Sequence, residues 1–142
     1  MLRILLSIIC IFILTSCGFA RFAFIEMPSG EKVQVKMAIL NSEKVAGLSG
    51  VERMANFKGM LFISEKPVRA SHWMRGMLFS LDMYFIDENK RVLEIRRDLL
   101  PCQSEEDCPA IISENENIKY VLELPVGEGD EYGLEINSEI NW

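Results

Sequence analysis

The sequence has one histidine, His72, and two tryptophans. A single imidazole cannot build a His-rich metal centre, and no cysteine lies near it in sequence, so no metal and no cofactor is expected. Cys-x-x-Cys, the usual spacing of a redox-active pair, is absent. So is a Gly-rich phosphate loop, which removes the common nucleotide fingerprints. Positive charge is scarce: 15 Lys and Arg face 21 Asp and Glu, for a formal charge of −6. Phosphate backbones repel such a chain, so nucleic acid is not an expected partner. No polybasic run is present to hold anionic headgroups. There is no internal repeat and no low-complexity stretch.

What is present begins at the N-terminus. Arg3 is followed by an apolar run over residues 4–14, interrupted only by Ser7. One basic residue and a short apolar stretch have the layout of a secretory signal peptide. A spanning helix needs about 20 apolar residues, and this run is shorter. Apolar character resumes over residues 19–25, which leaves an uncleaved anchor as a competing reading; Arg21 argues against it. Leu14-Thr15-Ser16-Cys17 resembles the bacterial lipobox. That resemblance implies cleavage before Cys17 and lipid on its thiol; an ordinary signal peptide with an incidental cysteine is the other reading. Each buried lipid methylene contributes about 0.8 kcal/mol, so two or more chains anchor firmly. Gly18 follows, and the enteric sorting rules it resembles permit the outer membrane, facing the periplasm in a Gram-negative cell.

Removing residues 1–16 leaves 126 residues, enough for one domain with one core. Its charge is −7, from 14 basic and 21 acidic residues. The expected layout is a signal peptide at 1–16, a lipidated Cys17 with tether and possible first strand at 17–30, and a single globular domain at 31–142. Cys10 leaves with the leader. Cys102 and Cys108 remain, an even pair in an exported domain, and so read as a disulfide. Closing that short loop contributes about 2 kcal/mol by restricting the unfolded chain.

Residues 31–40 alternate, with Val33, Val35, Met37 and Ile39 on one side and Lys32, Gln34 and Lys36 on the other, the pattern of a half-buried strand. Phe22 and Phe24 begin a possible earlier strand, with Met27-Pro28-Ser29-Gly30 as the turn. Ser42 is placed to N-cap a short helix with Glu43 in its first turn, Gly47 or Gly50 at its end, and Val45 and Leu48 on its buried side. Residues 59–63, 81–86, 91–95 and 119–124 read as strands, the middle two a hairpin around residues 87–90. Residues 127–133 read as a tight turn or one helical turn, and residues 135–140 as a closing strand. The expected fold is α+β and β-rich: a compact antiparallel sheet or small barrel with one or two short helices, behind the cleaved signal peptide.

The order Gly47-Leu48, Gly59-Met60-Leu61-Phe62, Trp73-Met74, Leu81-Asp82, Phe85-Ile86-Asp87, Tyr120-Val121-Leu122-Glu123 resembles the domain of unknown function 192 family. Many of its members are exported and carry a Pro-Cys…Cys-Pro element before the Tyr-Val-Leu-Glu strand, as here. The resemblance implies a small β-rich α+β domain and no agreed activity. Members commonly continue Trp-Met with Lys-Asn-Thr and place Pro before Leu-Asp. Here Arg75-Gly76-Met77 and Ser80 stand instead, which puts any polar site built on the amide and hydroxyl in doubt.

His72, Trp73 and Arg75 together offer a titratable ring, a flat apolar face and an anion-pairing fork, suited to a small anionic or sugar-like ligand. The bland alternative is that Trp73 and Met77 are core while His72 and Arg75 face solvent. Strand alternation would also set His72 and Trp73 on opposite faces. Asp82, between Leu81 and Met83, is a carboxylate inside a strand and needs a partner. It either anchors a loop or pairs with Arg75 or Arg96, or it belongs to a ligand or acid–base site. Glu94 reads as a solvated face. Met54, Met60, Met74, Met77 and Met83 lack copper-site spacing and read as core filler. Residues 105–107 are acidic but lack the spaced oxygens of a calcium loop. Ser71 beside His72 is not a triad.

The expectation is a lipid-anchored envelope lipoprotein that binds a small ligand, glycan or protein through His72, Trp73 and Arg75, near Asp82. The alternative is a hydrolase-type enzyme using Asp82 with Arg75 or His72. The partners expected are the membrane, through lipid on Cys17, and a small ligand or envelope protein.

Overall fold

The computed structural model describes residues 20–142 apart from Gln103 and Glu105. The signal-peptide and Cys17 readings lie outside the described residues. The chain enters through β1 (Arg21–Glu26), turns at Gly30, and returns antiparallel as β2 (Lys32–Ala38). Gly30 has φ +86 and donates its N–H to Met27 at 2.8 Å, a backbone position in the left-handed region that glycine adopts without penalty. Val33 and Val35 are buried as the alternation requires; Ile39 lies past the strand end and is exposed.

Between β2 and β3 (Gly59–Val68) the chain crosses over through α1 (Asn41–Ala46), so β3 runs parallel to β2. The remaining sheet strands are β5 (Leu81–Ile86), β6 (Val92–Leu99) and β8 (Ile118–Pro125), all paired antiparallel. The order is β1-β2-β3-β8-β5-β6. The β-rich α+β class with two short helices stands; within it the sheet is mixed where an antiparallel sheet or small barrel was expected, with β1 and β6 as its outer strands. The short strands β4 (Ser71–His72) and β7 (Ile111–Ile112) form a separate ribbon. One helical turn, α2 (Glu128–Glu131), follows β8.

Local expectations meet three further corrections. Ser42 does not cap α1. The cap position is Leu40, and the Glu43 carboxylate accepts the N–H groups of Ile39 at 2.9 Å and Leu40 at 2.8 Å. Those bonds, Leu40 first, hold the Glu43 carboxyl below its ordinary range. Val45 is exposed, and only Leu48 turns inward. Residues 135–140 do not close the sheet as a strand. Asn137 sits at φ +71, and the tail joins the sheet through the single bridges Arg91 to Glu139 and Glu26 to Asn141 and through bonds such as the Val92 N–H to the Ser138 carbonyl at 2.9 Å.

Each sheet face carries its own core. Ile25, Val35, Leu61, Tyr84, Leu122 and Leu134 fill one; Leu48, Met60, Phe62, Met83, Phe85 and Val121 fill the other. Covered on both sides, β5 is buried at every position. The disulfide Cys102–Cys108 has its Cα atoms 5.3 Å apart. The Cys102 N–H donates to the Met74 carbonyl at 3.3 Å, so the bridge backs the loop after β4. Among the described residues no helix is long and apolar enough to cross a membrane.

Tyr84 is fully buried, and its hydroxyl has no hydrogen bond of good geometry among the described residues. Burial first, and the charge of Asp82 second, push its pKa from 10.0 up to about 12. The unfolded chain therefore ionises first as pH rises. The Tyr84 contribution to stability is complete below pH 10 and is lost as pH climbs toward about 12. Urea unfolding at stepped alkaline pH should show this fall, and Tyr84→Phe should reduce its slope. An unchanged slope in that variant would remove Tyr84 as the cause.

Candidate functional site

The site starts from a carboxylate in a central strand. Alternation along β8 sends Leu122 and Leu124 into one core and turns Val121 and Glu123 to the opposite face. The Glu123 side chain is 5% exposed and needs a polar partner there. It finds His72, with Nδ1 3.2 Å from Oε1. The imidazole is held edge-on by Phe62, at 4.8 Å between centroids, and more distantly by Phe85, at 6.3 Å. A proton on Nδ1 shared with Glu123 leaves Nε2 as acceptor in the neutral ring and as donor in the charged one.

Above this pair opens a cleft of about 250 Å³. Its walls are apolar, from Val45, Leu48, Phe62, Met77 and Val121. Lys44, Arg69 and Arg75 also line it, against the single carboxylate of Glu123, for a net of +2 with His72 neutral. This is a local reversal in a chain of charge −6. Arg75 lies over the Trp73 ring at 5.7 Å, a cation–π arrangement that leaves the guanidinium exposed. Arg69 is partly engaged, donating to the Glu114 carbonyl at 3.2 Å.

The structure thus brings His72, Trp73 and Arg75 to one cleft. The alternation that would have separated His72 from Trp73 does not operate, because β4 ends at His72. Asp82 is left out. It is buried near Tyr84 and Gly127, away from the cleft lining. Its Oδ1 accepts the Asp98 N–H at 2.8 Å, and its Oδ2 accepts the Gly127 N–H at 3.0 Å. The nearby cation is Arg97, at 3.8 Å, and neither Arg75 nor Arg96. Arg96 instead reaches Glu94 at 2.8 Å. Glu94 is buried, not solvated, because its Oε2 accepts the Glu114 N–H at 2.8 Å.

Sequence reasoning missed Glu123, Lys44 and Arg69. Only Glu123 carries a signal, a lone charge in the apolar run Val121-Leu122-Glu123-Leu124, the same signal that pointed to Asp82. The Gly76 departure also has a physical account. Its φ is +66, a conformation that Gly and Asn tolerate best, and a Cβ there would collide with the Ser49 hydroxyl. Met77 adds buried apolar wall to the cleft.

Two solved structures share this fold. A protein of unknown function from Novosphingobium aromaticivorans superposes with a TM-score of 0.73 at 21% identity, over 89% of each chain. A Sinorhizobium meliloti protein, described as a candidate transcription regulator, gives a TM-score of 0.73 at 27% identity, over 87% of this chain and 97% of its own. No curated protein matches. The family model for domain of unknown function 192, described as an uncharacterized ACR, matches residues 24–142. The chain belongs to the domain of unknown function 192 family.

Proposed function

We propose that the chain is an envelope lipoprotein, anchored through Cys17, whose domain binds a small ligand in the cleft above His72 and Glu123. The observation that carries this is the His72–Glu123 pair, its carboxylate buried, beneath an apolar-walled, net-positive opening. Apolar walls with a few converging polar groups are the usual form of a small-molecule site. The cations favour a ligand with an acidic group; the His–Glu floor favours one that also hydrogen-bonds, such as a hydroxyl-bearing acid or a glycan end. Export and the lipid anchor rest on the leader and on Leu14-Thr15-Ser16-Cys17. The acidic chain offers little to a nucleic acid, so the description given to the Sinorhizobium protein is not carried over. A hydrolase built on Asp82 is the weaker reading, since backbone N–H groups occupy both its oxygens.

The test is a thermal-shift screen of the soluble chain beginning at Gly18 against small carboxylates, phosphates and sugars. A ligand at a hundredfold excess over its Kd adds about 2.7 kcal/mol, close to 10 °C for a domain of this size. Arg75→Ala and Lys44→Ala should each cut the shift of an acidic ligand while leaving the fold intact. If no compound of these classes moves Tm, or if both variants respond as wild type does, the cleft is not the binding site.

A further inference from the structure

The same alternation that turns Ala23 and Ile25 toward one core sends Phe22 and Phe24 to the sheet face that carries α1 and the cleft. Phe22 packs on Phe57, centroids 6.1 Å apart, yet Phe22 and Phe24 remain 42% and 60% exposed. Val45 and Trp73, on the cleft wall, are 63% and 41% exposed. The β1 aromatics and the cleft wall lie on the same sheet face, linked through α1. Arg21 joins the start of β1 to α1 through Glu43 at 2.9 Å, and Val45 and Trp73 line one cleft. Exposed aromatics with basic residues among them, here Arg21, Lys44 and Arg75, suit the headgroup level of a bilayer.

The covalent path to Cys17 says what covers this face. Only residues 18–20 separate Cys17 from β1. Four extended residues span at most about 14 Å, against roughly 35 Å for the width of a domain of this length. A lipid on Cys17 therefore keeps the Arg21 end of β1 beside the headgroups and does not let the domain hang free. We propose that the face carrying Phe22, Phe24, Val45 and Trp73 rests on the phospholipid surface in which Cys17 is anchored, so that the cleft opens at the bilayer. The proposal depends on the lipid-anchor reading above and adds an orientation to it.

The two tryptophans provide the test. Trp73 lies on the docking face, and Trp142 packs edge-to-face on Tyr120 at 4.9 Å on the opposite side. Full-length protein purified from bacterial membranes would be reconstituted into phosphatidylcholine–phosphatidylglycerol vesicles containing brominated phosphatidylcholine. With Trp142→Phe, the remaining Trp73 should be quenched about twofold more than Trp142 is in the Trp73→Phe protein, since interfacial groups sit within several ångströms of the acyl boundary. Phe22→Ser with Phe24→Ser should reduce the Trp73 quenching while the protein still floats with the vesicles. Equal, weak quenching of both tryptophans in vesicle-bound protein overturns the orientation and leaves the anchor standing. A chain whose mass shows no lipid and which does not float with vesicles overturns the anchor and the orientation together. Hydrogen–deuterium exchange on the unsubstituted chain guards against variants that fail to fold. Vesicles should protect residues 21–26 and 40–46, and protection confined to other segments overturns the proposal.

Discussion

Gly59→Ala is expected to cost the domain about 3 kcal/mol or more, a large share of the stability a domain usually has. Gly59 opens β3 between β2, where it pairs with Val35, and β8. A Cβ at this position would run into the carbonyl oxygen of Glu123 and the Leu124 side chain. The first obstacle is backbone of a central strand and cannot swing aside as a side-chain tip can. Relief would require β8 to move, and β8 carries Glu123. The substitution should therefore damage the His72–Glu123 pair along with the sheet. Gly30→Ala is the control. Nothing lies within 4 Å of its Cβ, and only the φ of +86 opposes it. That strain costs about 1–2 kcal/mol. Urea unfolding of both variants, followed by circular dichroism, compares them directly. A Gly59→Ala protein within about 1 kcal/mol of wild type would mean that β3 and β8 do not approach this closely.

Asp82→Ala is expected to lower stability by about 3 kcal/mol, because two backbone donors lose a charged acceptor in a buried place. The side chain is 2% exposed, so solvent cannot replace it readily. Its bonds to Asp98 and Gly127 tie the end of β6 to the turn leading into α2. Asp98 itself sits at φ +52, a conformation this bond helps to hold. Arg97 is not stranded by the change, since Asp130 lies 2.6 Å from it. Asp82→Asn keeps one acceptor and presents one opposed donor, so its loss should be smaller, about 1–2 kcal/mol. Both variants should keep the ligand response of the cleft at temperatures where they are folded. A variant of normal stability that no longer binds would return Asp82 to the functional site.

The contrast between Asp82 and Glu123 shows how far the sequence could be read. Each is a lone carboxylate in an apolar strand, and each had to have a partner once buried. Nothing local distinguishes a carboxylate that ties down backbone amides from one that faces an imidazole beneath a cleft. The partners are remote: Asp98 and Gly127 for one, 16 and 45 residues away, and His72 for the other, 51 residues away. Glu94 was misread for the same reason. Its alternation with Val92 and Arg96 looked solvated, but the loop that bonds it, at Glu114, comes from beyond the disulfide. The parallel pairing of β2 with β3 was equally invisible, since the intervening helix says only that the chain leaves and returns.

What the sequence determined by itself is what short-range chemistry controls. The two-residue period placed the strands, glycines marked the turn before β2 and the end of α1, and the Cys102–Cys108 pair closed its own small loop. The ordered residue set also carried the family. Only the tertiary structure decided that the sheet is mixed and open, that α1 is capped by Glu43, and that His72, Trp73 and Arg75 share a cleft floored by Glu123. The physical reason is one of range. A strand's periodicity reports which side meets water, but the partner of a buried charge depends on strand order and register, and both are set by the packing of the whole sheet.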